Sequence, residues 1–242
     1  METEFSAEQY QSSYPDGGQD HWWPMARARV VRDTLTRTAG RQASILDVGC
    51  GRGIVVDYLR REGIDCSGVE PGMSGPIEGA ADFVTTGLHA EELPETDRRK
   101  YDTILLLDVI EHLPDAAEFL RGLPARFENL STLIVTVPAR QELWTNYDEY
   151  FGHYLRYSLR DIEALSQNLG WELLERRYFF HSLYLPAWFM AKVRKGRPTE
   201  LSPPRGIVKA LHRCVAFGMY IDYQIIPRSV VGTSLIAALR VS

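Results

Sequence analysis

The segment Ile45–Gly53, ILDVGCGRG, constrains this chain more than any other. A short apolar run, Ser44–Val48, feeds a loop with glycines at 49, 51 and 53. A helical pattern follows over Ile54–Glu62, with Val55, Tyr58 and Leu59 on one face. Glycine permits positive φ and lets a ligand approach the backbone closely, and the helix N-terminus beyond offers unpaired amides. The spacing narrows the ligand. With Gly49 and Gly51 as the first glycines of G-x-G-x-x-G, the third slot is Ile54, where a dinucleotide fingerprint wants Gly or Ala. No Gly-Lys-Ser/Thr follows, which excludes a P-loop. What remains is G-x-G-x-G with an acid, Asp47, two residues upstream. A second strand, Cys66–Glu70, closes on Pro71-Gly72 and ends in a carboxylate. A carboxylate at that strand end can accept hydrogen bonds from both ribose hydroxyls. Loop and Glu70 together imply an adenosine-type ligand; the bland alternative is a tight strand–helix turn and a surface Glu.

Further strands are expected at 81–85, Tyr101–Leu107, Thr132–Val137, Trp171–Phe180 and Thr233–Val241. A helix over 115–123 starts beside Pro114. Another follows Ser158, where Ser158 and Asp161 have capping-box spacing; it carries Ile162, Leu165 and Leu169 and stops at Gly170. This alternation predicts an α/β fold, a Rossmann-like seven-stranded and mostly parallel sheet with helices on both faces. The last two strands are separated by an insertion, about 181–229, holding Pro186, Pro198, Pro203 and Pro204. It is expected to pack outside the sheet as two helices, because the chain returns to a strand afterwards. Residues 1–43 are an expected N-terminal cap or lid, and 44–242 the ligand-binding domain.

With 242 residues, 45% hydrophobic and 24% charged, the chain can bury one sizeable core. No stretch reaches the ~18 uninterrupted apolar residues of a membrane span. The first twenty residues hold five acids (Glu2, Glu4, Glu8, Asp16, Asp20) and no Lys or Arg, so a secretory leader is not expected. Three scattered cysteines, Cys50, Cys66 and Cys214, make neither a disulfide framework nor a zinc site; no metal is expected, and a cytoplasmic location is. The formal charge of −5 hides a split: Lys192, Arg194, Lys195, Arg197, Arg205, Lys209 and Arg213 face a single acid, Glu200. A basic strip hints at nucleic acid, but the acidic remainder argues against a general polyanion binder, and no nucleic-acid partner is expected.

ILDVGCGRG, the acid of GVEP (68–71), AEELP (90–94) and DVIEHLPD (108–115) together resemble the successive motifs of class I S-adenosylmethionine-dependent methyltransferases. HWWPMARARVV (21–31), VPARQELWTNYDEYFGHYLRYSLRDIEAL (137–165) and VVGTSLIAALR (230–240) resemble further motifs of a bacterial subgroup, including its D-E-x-x-G-H-x-x-R-Y lid. The resemblance runs from about His21 onward and implies S-adenosyl-L-methionine as cofactor. It implies that the backbone of Gly49, Cys50, Gly51 and Gly53 faces the methionine part and ribose. Asp47 orients the loop and helps hold the ammonium through water, Arg27 pairs the methionine carboxylate, and Glu70, with Pro71 beside it, binds the ribose. His89 and Ala90 edge the adenine, His89 standing where the pattern usually has Asp. Asp108 and Val109 lie near the cofactor amino group and adenine face. For Arg27 the residue-level alternative is a solvated helix Arg.

Methyl transfer is an in-line displacement at a sulfonium methyl, and much of its acceleration comes from holding nucleophile and methyl in near-attack geometry. A base is needed only when the acceptor loses a proton. Candidates are His112, His153 and Tyr157. For His112 the alternative is packing at a helix start; for His153 and Tyr157 it is locking the lid loop together with Arg156. Six of the fourteen residues from Trp144 to Tyr157 are aromatic (Trp144, Tyr147, Tyr150, Phe151, Tyr154, Tyr157), a density that suggests a pocket wall. Trp22, Trp23 and Tyr14 can close the pocket from the other side, and aromatic faces favour a sulfonium. The expected function is methyl transfer to an O or N atom of a small hydrophobic or aromatic metabolite. A second class uses the same site without an acceptor: the cofactor's own amino nitrogen attacks its Cγ, giving azetidine-2-carboxylate and methylthioadenosine. A non-catalytic cofactor-binding protein is the third. Membrane-surface contact through the insertion is not favoured, and the chain is expected to be a monomer or homodimer.

Overall fold

Strands β1 (Ile45–Val48), β2 (Cys66–Glu70), β3 (Val84–Thr86), β4 (Thr103–Leu107), β5 (Thr132–Pro138), β6 (Glu172–Phe179) and β7 (Ser234–Arg240) form one sheet in the order β3-β2-β1-β4-β5-β7-β6. The computed structural model describes residues 6–73, 75–193 and 198–242. Glu2 and Glu4 of the acidic start, and Arg194, Lys195 and Arg197 of the basic strip, lie outside the described residues. The first five strands pair in parallel, while β7 enters between β5 and β6 antiparallel to both. The mostly parallel, Rossmann-like α/β sheet expected from the alternation is therefore observed.

The central strands read as unbroken apolar runs because both of their faces are covered. Alternate residues go to different cores. Leu46, Ile104, Leu106, Leu133, Val135 and Leu235 are buried on one face, and Ile45, Leu105, Leu107, Ile134 and Ile236 on the other. Helices α1 (Ala7–Ser13), α2 (Trp22–Thr38), α3 (Ile54–Arg61), α4 (Glu95–Arg98), α5 (Ala116–Arg121), α6 (Leu123–Arg126), α7 (Asn146–Tyr150), α8 (Leu159–Leu169), α9 (Tyr184–Val193) and α10 (Val208–Ile225) complete the described elements. Leu120, Leu123 and Ile162 seal the first face; Val30, Leu35, Val55, Leu59, Ala216 and Tyr223 seal the second. Helix α8 carries its reciprocal cap, with Ser158 N–H donating to Asp161 Oδ2 at 2.7 Å, and ends on Gly170 at φ 72°.

Two expected elements differ. The third strand begins at Val84 rather than at 81, because the chain reaches the sheet edge only where Val84 pairs with Gly68; the residues before it form a turn after the short 3-10 helix Glu78–Ala80. The helix expected over 115–123 breaks into α5 and α6, since Pro124 in the first turn of α6 has no amide to continue the ladder. The insertion supplies α9 and α10, as expected, and α10 lies along α2: Tyr223 Oη meets Thr34 Oγ1 at 3.3 Å, and Tyr220 Oη donates to Asp33 at 2.7 Å. The N-terminal segment and the insertion are also joined, through Lys209–Asp20 at 2.6 Å and Leu201 N–H to Ser12 O at 3.0 Å.

Candidate active site

Strand order reverses between β1 and β4, so their C-terminal ends open the crevice where ligands of such sheets bind. The loop after β1 turns there through three left-handed glycines, Gly49 (φ 74°), Gly51 (φ 56°) and Gly53 (φ 75°). All three are confined in space as well as in φ: a Cβ on Gly53 would sit 2.6 Å from Val84 Cγ2. A Cβ on Gly49 would sit 3.1 Å from Val109 Cγ2, and one on Gly51 would sit 2.5 Å from the Tyr14 ring. Glu70, at the end of β2, secures the loop: its Oε2 accepts from Gly51 N–H and its Oε1 from Gly72 N–H, both at 2.8 Å. Gly87 N–H donates to the Glu70 carbonyl at 2.8 Å, so the chain running on to His89 and Ala90 leaves the sheet beside that carboxylate. Ala90 is buried, and His89 N–H is taken by Glu92 at 2.7 Å.

Asp47, Arg27 and Asp108 converge beneath the loop. Asp108 ends β4 in the left-handed region (φ 59°), a strained conformation for a residue with a Cβ. It forms an ion pair with Arg27 and accepts from Thr136 Oγ1 at 3.3 Å. Arg27 is buried on α2 with its guanidinium 4.4 Å from the Trp23 ring centre. Asp47 is 1% exposed. Burial raises its carboxyl, the Arg27 charge only partly opposes this, and the result is pushed up to about 7. Asp47 Oδ1 and Arg27 Nε are both buried with no hydrogen-bond partner among the described residues. Both residues line a cavity of about 30 Å³ with Tyr14, Trp23, Gly49, Cys50, Ile54 and Leu201. An orphaned carboxylate oxygen and an orphaned guanidinium N–H in one cavity are complementary to the ammonium and carboxylate of an α-amino acid. The residues present therefore fit the methionine end of S-adenosylmethionine. Cys50 is a neutral thiol here, its pKa driven up by burial and by Asp47.

The N-terminal segment supplies residues that the sequence did not single out. Tyr10 packs on Gly72, 5.0 Å ring to ring from Tyr14, and Arg52 of the glycine loop reaches Asp16 at 2.6 Å. Ser6 and Gln9 form a reciprocal cap that starts α1, and Tyr10 and Tyr14 stand four residues apart; these were the available signals. Trp23 reaches the cavity. Trp22 does not line it, packing edge-on against Phe180 at 5.7 Å instead.

The lid motif closes on itself. Asp148, fully buried, accepts from Arg156 Nε at 2.8 Å and Nη2 at 3.0 Å, and meets His153 Nδ1 at 2.9 Å. Burial alone would raise its carboxyl, but the hydrogen bonds from His153 and Arg156 hold it down at about 2. Tyr157 is buried, donating its hydroxyl to Ile110 O at 3.3 Å, which is a latch between the lid and the β4 end. His112 stacks edge-on with His153 at 4.7 Å, and its pKa is lowered to about 4 by burial and by that neighbour. Tyr147 lies 6.3 Å from His153, and both Tyr147 and Tyr150 pack on Phe151. Gln9 donates to the Tyr150 carbonyl, tying α1 to α7. Trp144 is half-buried at the entry to α7, and Tyr154 is 58% exposed.

The strand order, the glycine loop and the carboxylate at the β2 end define a Rossmann-like methyltransferase fold. Residues 25–176 match the family model described as a methyltransferase domain, and the chain belongs to that family of S-adenosylmethionine-dependent methyltransferases. The ubiquinone biosynthesis O-methyltransferase of Azorhizobium caulinodans is 34% identical over 111 residues, covering 39% of this chain and 44% of that protein. The protein of the same name from Yersinia pestis is 29% identical over 118 residues, covering 42% and 49%. The matched stretch thus spans less than half the length of either relative. Among solved structures, the Burkholderia thailandensis 1,6-didemethyltoxoflavin-N1-methyltransferase, with 1,6-didemethyltoxoflavin and S-adenosylhomocysteine bound, superposes with TM-score 0.55 at 18% identity, covering 97% of this chain and 86% of its own. A geranyl diphosphate methyltransferase in complex with SAM gives TM-score 0.55 at 13% identity, covering 90% and 85%. At those identities the likeness is one of fold. Among the described residues, no helix is long and apolar enough to cross a membrane.

Proposed function

We propose that this protein transfers a methyl group to an O or N atom of a small hydrophobic or aromatic metabolite. The observation that carries the reading is the pair of orphaned buried groups, Asp47 Oδ1 and Arg27 Nε, in one cavity under the glycine loop. S-Adenosylmethionine supplies an activated methyl on a sulfonium. In this reading Asp47 and Arg27 hold its amino-acid end, Glu70 its ribose, and the Trp23 and Tyr14 rings exclude water near the charged centre. The cavity of about 30 Å³ has room for one or two waters, so Tyr14 and the segment carrying it swing off Gly51 to admit a nucleoside. Residues 1–43 then act as a lid. The aromatic side chains of α7 and of the turn after it, Tyr147 above all, form the acceptor wall. His112, neutral at pH 7 through burial, contributes an imidazole lone pair at the acceptor end, as base or as ligand; Tyr157 serves as latch rather than base because its hydroxyl is committed to Ile110.

The test is incubation of the pure protein with S-adenosylmethionine and a panel of hydroxylated and aminated aromatic compounds, followed by mass spectrometry. Methylated acceptor and S-adenosylhomocysteine in equal amounts are expected. Methylthioadenosine accumulating with no acceptor present, and no methylated product from any compound, would replace this reading with intramolecular cyclisation.

A further inference from the structure

Glu111 lies just past the end of β4, fully buried, and neither of its carboxylate oxygens has a hydrogen-bond partner among the described residues. Leaving an ionised carboxylate in that state costs on the order of several kcal/mol unless a positive group meets it. Two imidazoles face it instead, those of His112 and His153. One donor atom from each of the three residues lies within 4.8 Å of the other two.

The surroundings favour ligation over a chance gathering. His153 Nδ1 is held by the ionised Asp148, which Arg156 grips through Nε and Nη2. That bond makes Nδ1 the proton-bearing nitrogen and leaves Nε2 with a free lone pair. An outer carboxylate orienting a ligating imidazole in this way is the usual support of a metal site. His112 supplies the second imidazole, and Glu111 is the anion that such a donor set needs.

We propose that Glu111, His112 and His153 bind one divalent cation at the acceptor end of the site. Two nitrogens and one carboxylate suit Zn²⁺, Mn²⁺, Fe²⁺ or Co²⁺ rather than Ca²⁺, and three protein ligands leave positions open. Ligands each about 2.1 Å from a metal in a tetrahedral arrangement stand about 3.4 Å apart, so donors within 4.8 Å of one another close by about an ångström through side-chain rotation. Resting on the methyl-transfer reading above, the open position takes an acceptor hydroxyl and acidifies it. The hydroxyl proton passes to water, the O–CH₃ bond forms as the S–CH₃ bond breaks, and the bonding pair stays on sulfur. This narrows the acceptor to an oxygen nucleophile.

The full chain, stripped with a chelator, is titrated with Mn²⁺ alone and followed by loss of the free-ion paramagnetic resonance signal. Binding of S-adenosylhomocysteine is measured separately by calorimetry in the presence of chelator. One Mn²⁺ per chain is expected, with affinity reduced at least about 10-fold in Glu111→Gln and in His153→Asn, and by about 10–100-fold in Asp148→Asn, the scale of a lost orienting partner. Variants are scored only where melting temperature and S-adenosylhomocysteine affinity match the parent; His112→Asn replaces any that fails to fold. Absence of Mn²⁺ binding in a protein that binds S-adenosylhomocysteine overturns the cation site, as does equal affinity in the parent and Glu111→Gln. Mn²⁺ binding without S-adenosylhomocysteine binding supports the cation site and refutes the cofactor reading instead.

Discussion

Replacing Asp47 by Asn should remove a loss of stability that the ligand-free protein suffers as pH rises, while impairing its ligand binding. Asp47 is 1% exposed, with one oxygen unpartnered, and its carboxyl is pushed from 3.8 to about 7. A carboxyl whose pKa is raised by folding favours the folded state at low pH, and that advantage disappears as pH rises through the folded value. Between about 3.8 and 7 the unfolded chain is ionised while the folded chain still holds the proton, so each pH unit removes about 1.4 kcal/mol of stability. From pH 5 to pH 8 the loss accumulates over about two units, or about 3 kcal/mol, and then levels off. Asn at 47 does not titrate, and its own unpaired amide imposes a cost that is the same at both pH values and cancels in the difference. The stability of Asp47→Asn relative to the parent should therefore rise by about 3 kcal/mol between pH 5 and pH 8. In a chain of this size that corresponds to roughly 6–12 °C in melting temperature. Differential scanning fluorimetry of both proteins at the two pH values measures it. A difference that does not change with pH would refute the account of Asp47 as a strained buried carboxylate. The same variant should bind S-adenosylhomocysteine about 10–100-fold more weakly by calorimetry, the scale of a lost hydrogen bond to a charged group.

Glu70→Ala removes the acceptor of Gly51 N–H and Gly72 N–H; calorimetric affinity for S-adenosylhomocysteine should fall by about 1.5–3 kcal/mol, and an unchanged value would take Glu70 out of the site. NADH should not bind, since Ile54 occupies the third glycine slot and lines the cavity; tight binding by fluorescence titration would contradict that reading of the loop. Arg156→Ala leaves Asp148 buried and deprived of its main partner, and should cost about 3–5 kcal/mol of unfolding free energy, read from urea denaturation. Gly51→Ala should destabilise through the left-handed φ, by about 1–2 kcal/mol, and through the Tyr14 ring; combining it with Tyr14→Ala should recover the steric part only, and full recovery would show that the backbone is unstrained.

The parts of the site that were legible in the sequence are those whose chemistry is local. Three glycines, Asp47 two residues upstream and Glu70 at the next strand end announce a ligand loop because turn conformation and strand-end placement depend on near neighbours. The buried character of β4 was legible for the same reason, as an uninterrupted apolar run. Pairings across the fold were not. Arg27 meets Asp108, and Tyr14 meets Gly51, only because α1 and α2 fold back over the loop. The density of aromatic residues from Trp144 to Tyr157 signalled a cluster, but not which rings turn inward: Tyr157 is buried as a latch, while Tyr154 faces solvent. Glu111 is an ordinary acid in sequence, and its isolation from donors follows from packing between β4 and the lid. A short strand also carries no sign of its direction, so the sequence could not say that the last strand would run against its neighbours.

That last strand bears on how the chain is made. β7 lies between β5 and β6 and pairs with both, yet it is synthesised after β6 and about fifty residues of insertion. At roughly 5–20 residues per second of translation, the edge of β5 and both edges of β6 stay unpaired for on the order of several seconds. Exposed strand edges are templates for pairing with other chains. The nascent protein is therefore most prone to aggregate just before its seventh strand arrives, and slowing synthesis within residues 181–229 should lower the soluble yield without altering the stability of the molecules that do fold.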